Sequence, residues 1–198
     1  MKKLYLSFST LDALIKHPHT YLCKAMGIEQ PVNEYMEAGK IAHKIVTDHV
    51  CGIKKDPRVM IDLEFTNPEY KCFKDYRDNY ALYGFCDAVS FKSKSIMEYK
   101  TSTKPWSQQR FDDLIQIPFY SLVTEFRKIF MVTSTSDLIN FKVFYKEVVD
   151  KEIQKAKDFI EQGIAIIEKG DFTSDLVGGK CDGSCNYRIN CHFYKEVL

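Results

Sequence analysis

The sequence predicts an α+β or mixed α/β fold, and three observations carry that expectation. Helical periodicity marks the N-terminal region, a central segment and the stretch before a cysteine-rich end. Two-residue alternation marks the segments between them, and no internal repeat, low-complexity tract or interdomain linker interrupts the series. With 198 residues, 45% hydrophobic and 14% aromatic, the chain can bury a core of ordinary size, so one domain over residues 1–198 is expected.

The elements follow in order. "STLDALIK", residues 9–16, reads as a short helix: Ser9 or Thr10 can cap it, Asp12 suits its positive end, and Leu11, Leu14 and Ile15 share a face. Pro18 ends it or starts the next turn. From Asn33 to Val50 the apolar positions Met36, Ile41, Ile45, Val46 and Val50 recur at helical spacing, with Asn33 as cap and Gly52 as stop. "RVMIDLEF", residues 58–65, alternates as a strand does, and "ALYGFCDAVSF" with "SIMEYKTS" predicts a hairpin around Lys92–Lys94. Ser107 to Phe130 begins as an amphipathic helix in which Pro118 predicts a kink. Two strands are expected near 130–133 and 139–145, then a helix from Glu147 to Gly170 with apolar positions at Ile153, Phe159, Ile160, Ile164 and Ile167.

Charge and targeting set bounds on function. Lysine plus arginine, 28, nearly equals aspartate plus glutamate, 27, so any phosphate binding must come from local clusters. The start superficially suggests a leader, but Ser7, Ser9, Thr10 and Asp12 break its apolar run, and no stretch has the length of a membrane span. Seven cysteines, three of them near the C-terminus, suit a reducing compartment and a metal better than a disulfide framework. The expectation is a soluble cytoplasmic protein with no membrane partner.

The chemistry concentrates in "YGFCDAVSFKSKSIMEYKTST", residues 83–103. Residues two apart in a strand point the same way, so Glu98 and Lys100 share a face and Tyr99 takes the other. A two-residue turn at Lys92 and Ser93 sets Asp87 opposite Glu98, a four-residue turn sets it opposite Lys100, and an odd turn without a bulge would put it on the wrong side. Opposed carboxylates repel unless a cation or a proton relieves them. Their oxygens suit Mg2+ or Mn2+, and Lys100 beside such a site suits a polyanionic substrate.

Asp87 followed by "EYKTS" resembles the catalytic core of the PD-(D/E)XK nuclease superfamily, in particular its RecB-like exonuclease branch, which includes AddB-like and CRISPR-associated adaptation exonucleases. Gly84 stands where that branch often has a glycine. "LSFSTLDALIKHP" (6–18), "GKIAH" (39–43) and "QIPFY" (116–120) resemble its N-terminal helix, Gly-x-x-x-His and Gln-x-x-x-Tyr motifs, in the branch's order. The resemblance implies a restriction-endonuclease-like core with a central mixed sheet flanked by helices. It implies a metal held by His43, Asp87, Glu98 and the Tyr99 carbonyl, with Lys100 orienting a metal-activated water. Gln116 and Tyr120, one helical turn apart, would reach a phosphate or base of the substrate strand. Trp106 is a candidate for stacking on an unpaired base or for loop packing, and Lys104 and Arg110 are candidates for phosphate contacts or solvated surface charge. DNA, single-stranded or with free ends, is the expected partner, and exonuclease activity is favoured over endonuclease activity or a non-catalytic binding module.

"CDGSCNYRINC" brings Cys181, Cys185 and Cys191 into one loop, a density that suits thiolate coordination. In the branch such a triplet joins an N-terminal cysteine around a four-iron, four-sulfur (4Fe-4S) cluster. Here three residues separate the first two cysteines where the branch has two, and His17-Pro18 replaces its Cys-Pro. Cys23 is the preferred fourth ligand, with His17 and then His192 as substitutes and zinc as the alternative metal. Cys51, Cys72 and Cys86 are assigned to the core.

Overall fold

The computed structural model describes residues 3–28 and 34–172. Its elements are β1 (Leu4–Ser7), α1 (Phe8–Lys16), α2 (Pro18–Ala25), α3 (Glu34–Val50), β2 (Asn67–Arg77), β3 (Tyr80–Ser90), β4 (Ser95–Thr101), α4 (Gln108–Asp112), α5 (Gln116–Thr124), β5 (Lys128–Ser134), β6 (Lys142–Glu147) and α6 (Asp150–Lys169). The chain divides into two compact units, Met1–Tyr5 with Asn33–Ala156 and Leu6–Val32 with Lys157–Leu198.

In the smaller unit, α1 is capped by Ser7, whose hydroxyl accepts the Thr10 N–H at 3.2 Å. The cap thus lies earlier than Ser9 or Thr10, because an N-cap must accept from a residue inside the first turn. Pro18 opens α2, where its missing N–H costs nothing. Leu11 and Leu14 are buried, and Phe8 stacks on Phe159 of α6 at 5.6 Å. Gly163 of α6 lets Leu11 approach so closely that a Cβ there would lie 2.5 Å from Leu11 Cδ2.

The larger unit is built on a mixed sheet of order β1-β3-β4-β5-β6, with β2 also paired to β3. β2–β3, β3–β4 and β5–β6 are antiparallel, while β4–β5 is parallel. α3 lays Ala42, Val46 and Val50 against Ala88, Met97, Tyr99 and Val132 of the sheet. Tyr99 faces that core while its neighbour Glu98 bonds to α5, so α3 and α5 cover opposite faces. Met97 is fully buried there. Met97→Ala is expected to lower the unfolding free energy by about 2–5 kcal/mol in urea titration; a loss below about 1 kcal/mol would show that this layer is not the stabilising core.

Several elements depart from the sequence expectations for identifiable reasons. Residues 58–65 keep the expected alternation, with Val59 and Phe65 buried and Met60 83% exposed, but no strand pairs with them. The segment packs extended on the core, and the edge strand instead is β2, whose interleaved charges hide its period. α3 buries Ala42, Val46, Thr47 and Val50, leaving Ile41 62% exposed, so its buried stripe is rotated from the expected one. Gly52 stops it at φ 68°, as expected; Asn33 lies outside the described residues. The Ser107–Phe130 segment breaks before Pro118, which sits in the first turn of α5, and Glu125 ends α5 at φ 65°. The strand after it runs Lys128–Ser134, and the last helix is Asp150–Lys169 with Gly170 at φ 72° as its stop. No helix among the described residues is long and apolar enough to cross a membrane.

Candidate active site

The hairpin pairs Ala88 with Met97, Val89 with Ile96 and Ser90 with Ser95, the register that sets Asp87 across from Glu98. The turn is the four residues Phe91–Lys94, with Lys94 at φ 49°. The register expected of a two-residue turn is thus reached by a four-residue one centred on the same Lys92 and Ser93, and Asp87 does not move opposite Lys100. The ladder stops at Ala88, and the Asp87 side chain takes over: its Oδ2 accepts the Tyr99 N–H at 2.6 Å. A backbone donor left by the opening strands is thereby satisfied. On the other side of β3, Pro68 pairs with Ala88 and Tyr70 with Cys86, while Glu69, between them and opposite Asp87, is unpaired and at φ 47°. The sheet therefore opens on both sides of Asp87.

Into this opening α3 sends His43, whose Nε2 lies 2.7 Å from Asp87 Oδ1. That hydrogen bond raises the imidazole pKa against the opposing effect of burial, helped by the charges of Asp87, Glu98 and Glu69. Glu98 is 3% exposed and its Oε1 holds Lys100 Nζ at 2.6 Å. From α5, Gln116 Nε2 donates to the same oxygen at 2.8 Å and to Tyr120 Oη at 3.2 Å. Burial pushes the Glu98 carboxyl up to about 7, with Asp87 adding to the effect and Lys100 and His43 opposing it. Burial works to lower Lys100, but the neighbouring Glu98 and Asp87 outweigh it and the ammonium is held above its usual range. Asp87 thus faces an imidazole and Glu98 an ammonium.

His43, Asp87, Glu98, Lys100, Gln116 and Tyr120 are brought together in the larger unit. Gln116 and Tyr120 are both 8% exposed, and their hydrogen bonds lead to Glu98. Tyr99 lies on the α3 side of the sheet, where its hydroxyl bonds to Ser134 Oγ at 2.6 Å. Trp106 is buried beneath the Arg110 guanidinium, 3.7 Å from the ring, and so takes the loop-packing alternative. Lys104 lines a cavity of about 280 Å³ beyond the end of β4, together with Ser102, Thr133 and Lys142. Glu69 was missed by the sequence reading. Only its place in the β2 register, opposite Asp87, reveals it.

The donor set fits a divalent cation. Glu98 Oε2 is buried and has no hydrogen-bond partner among the described residues, an expensive arrangement for a carboxylate oxygen even with Lys100 on its companion. Carboxylate oxygens with one imidazole are the ligands that magnesium and manganese accept. Among the described residues no group of three His, Cys, Asp or Glu side chains is placed to hold a metal ion, and His43 and Lys100 engage Asp87 Oδ1 and Glu98 Oε1. Cys23 is buried on α2, and Cys72 and Cys86 are core residues, whereas Cys51 is half-buried. Cys181, Cys185, Cys191 and His192 lie outside the described residues.

A pH dependence follows from Glu98. Its carboxyl titrates near the ordinary 4.5 when unfolded and at about 7 when folded, so the folded state binds the proton more tightly. The contribution of Glu98 to stability therefore falls as pH rises from 4.5 to 7 and stays low above 7. Metal-free protein should lose Tm across that window, and Glu98→Gln should flatten the loss. Adding Mn2+ should raise Tm more at pH 8 than at pH 6, because below 7 the metal competes with the proton. Equal Tm gains at both pH values would remove Glu98 from the metal site.

Fold and site together define a mixed α/β chain of the restriction-endonuclease-like fold. No protein-family model matches the sequence, and no curated protein matches it. Solved structures do. The crystal structure of SSO0001 superposes with a TM-score of 0.65 at 15% identity, covering 98% of this chain and 89% of that one. The alkaline exonuclease LHK-Exo from Laribacter hongkongensis gives 0.55 at 12% identity over 85% of this chain and 89% of its own, and it has also been solved in complex with dAMP. A phage-related exonuclease from Haemophilus somnus gives 0.53 at 12% identity, covering 85% and 97%.

Proposed function

We propose that this chain is a Mg2+- or Mn2+-dependent DNA nuclease, an exonuclease acting on single-stranded DNA or on DNA ends. The observation that carries the reading is the buried Glu98 carboxylate, with one oxygen unsatisfied, beside Asp87 and under Lys100. His43, Asp87 and Glu98, with the Tyr99 carbonyl, are the residues assigned to the cation. Held there, such a cation would supply polarisation of a phosphate oxygen and a lowered pKa for a water. In hydrolysis, water oxygen bonds to phosphorus and the bond to the leaving nucleoside oxygen breaks, that oxygen departing with a proton. Lys100 offsets charge on the phosphate and orients the water, and Gln116 with Tyr120 keeps Glu98 aimed. Exonuclease structures of the same fold, one of them in complex with dAMP, support the reading.

The test is cleavage of end-labelled single-stranded, duplex and covalently closed circular DNA with each metal. Degradation of linear forms with the circle intact is expected. Cutting of the circle would make the protein an endonuclease. Binding without cleavage of any form would make it a non-catalytic module. We further assign Cys23, Cys181, Cys185 and Cys191 to a 4Fe-4S cluster on sequence grounds. Iron and sulfide in the purified protein, lost on Cys185→Ser, is the expected result, and stoichiometric zinc would overturn it.

A further inference from the structure

We propose that the exposed aromatic stripe on β2 and β3, made by Tyr5, Phe73, Tyr83 and Phe85 around Lys71, is a platform on which unpaired nucleotides stack as a DNA strand approaches Asp87. This rests on the nuclease reading above and names the path of its substrate. Lys71 pairs with Phe85 and Phe73 with Tyr83 across the two strands, so the four side chains stand on one face. Ring centroids follow one another at 6.4 Å from Tyr5 to Phe73, 6.3 Å to Tyr83 and 6.4 Å to Phe85. Lys71 Nζ sits over Phe73 at 4.9 Å and over Phe85 at 5.6 Å.

These rings are not needed by the core. Cys72, Gly84 and Cys86 fill the inward face: a Cβ on Gly84 would meet Tyr120 at 2.6 Å, and Cys72 Sγ lies 4.0 Å from Cys86 Sγ. The rings point to water instead, with Tyr5 54%, Phe73 52% and Phe85 50% exposed. A contiguous exposed apolar patch of this kind marks a binding surface. Its chemistry selects the occupant. Flat rings with an ammonium at their centre fit stacked bases and their phosphates, and Lys71 has no carboxylate partner among the described residues. A second copy docked through a two-fold axis near Lys71 would set lysine against lysine. Position points the same way: Phe85 lies two residues before Asp87 on β3, about 6.6–6.8 Å along the strand, so the stripe ends near the site.

The experiment uses the full protein in calcium or EDTA, with a single-stranded oligonucleotide carrying 2-aminopurine, whose fluorescence is quenched on stacking. Binding is read by anisotropy and oligomeric state by light scattering. Phe85→Ala and Phe73→Ala should each weaken binding by roughly 5- to 100-fold and relieve the quenching. Phe85→Leu, which keeps the apolar surface without the π face, should relieve the quenching too. Lys71→Ala should lower the salt slope of log K by about 0.7. Unchanged affinity and quenching in the Phe73→Ala/Phe85→Ala double variant, in protein that melts as wild type, would overturn the platform. So would a wild-type dimer that the double variant dissolves. If wild type cleaves nothing but quenches through Phe85, the platform stands and the nuclease reading fails; if it cleaves while the variants bind normally, the reverse holds.

Discussion

On the nuclease proposal, Lys100→Met is expected to lower metal-dependent cleavage of DNA by about 100- to 1000-fold, the size of effect seen when a group that stabilises developing charge is removed from a water-poor site. Its ammonium lies 2.6 Å from Glu98 Oε1, and methionine keeps the volume while removing the charge. The loss should appear in kcat more than in KM, because substrate charge is met over many phosphates whereas the reacting one is met here. Removing the ammonium also removes one of the two groups that oppose the upward shift of Glu98, so the pH at which Mn2+ stabilises the variant should move up. Mn2+ binding itself should persist at high pH, measured by calorimetry. A Lys100→Met protein with full cleavage would end the assignment of Lys100 as a catalytic residue. Loss of Mn2+ binding together with loss of fold would mean that the Glu98–Lys100 pair is structural.

Gly84→Ala is expected to damage both stability and activity from a position that touches no substrate. Its Cβ would stand 2.6 Å from Tyr120 Cε1 and 3.2 Å from Cδ1, in a buried ring with Cys72 Sγ behind it. Overpacking of this kind costs about 1–3 kcal/mol. To make room the Tyr120 ring must shift, and its hydroxyl is the second acceptor of the Gln116 amide that holds Glu98. Cleavage should therefore fall further than the stability loss accounts for. Tyr120→Phe, which keeps the ring and removes the hydroxyl, should leave stability nearly unchanged in comparison. Shortening residue 120 relieves the clash, so Gly84→Ala combined with Tyr120→Leu should cost less than the sum of the two single changes. Strict additivity would show that the contact between Gly84 and Tyr120 does not couple the strand to α5.

Much of the site was legible because it depends on short-range periodicity. The two-residue repeat of a strand put Glu98 and Lys100 on one face before any partner was known, and the structure joins them directly. Turn parity limited the hairpin to two registers, and Ala88 opposite Met97 realises the one with Asp87 across from Glu98, although through the four residues Phe91–Lys94 where two were expected. The 3.6-residue repeat put Gln116 and Tyr120 on one helical surface, and they are hydrogen-bonded to each other. The same logic failed where tertiary contacts override it. Residues 58–65 alternate without a partner strand, and β2, which has one, carries lysines and aspartate among its aromatics. Pro118 is tolerated inside "QIPFY" because it sits in the first turn of α5, where its missing N–H breaks no ladder bond.

By itself, then, the sequence determined which residues could share a face: a period of two for the carboxylate and the lysine, a period near four for the glutamine and the tyrosine. Tertiary structure alone decided their chemistry. The burial that raises Glu98 to about 7 comes from α5 and the sheet closing over it, and the upward shift of His43 comes from a carboxylate on another element. The opening of the ladder at Asp87, with Glu69 at φ 47° opposite it, depends on strands distant in sequence. Solvation and electrostatic fields act through space, and no local pattern in the chain encodes which charges will meet or how far water will be excluded from them.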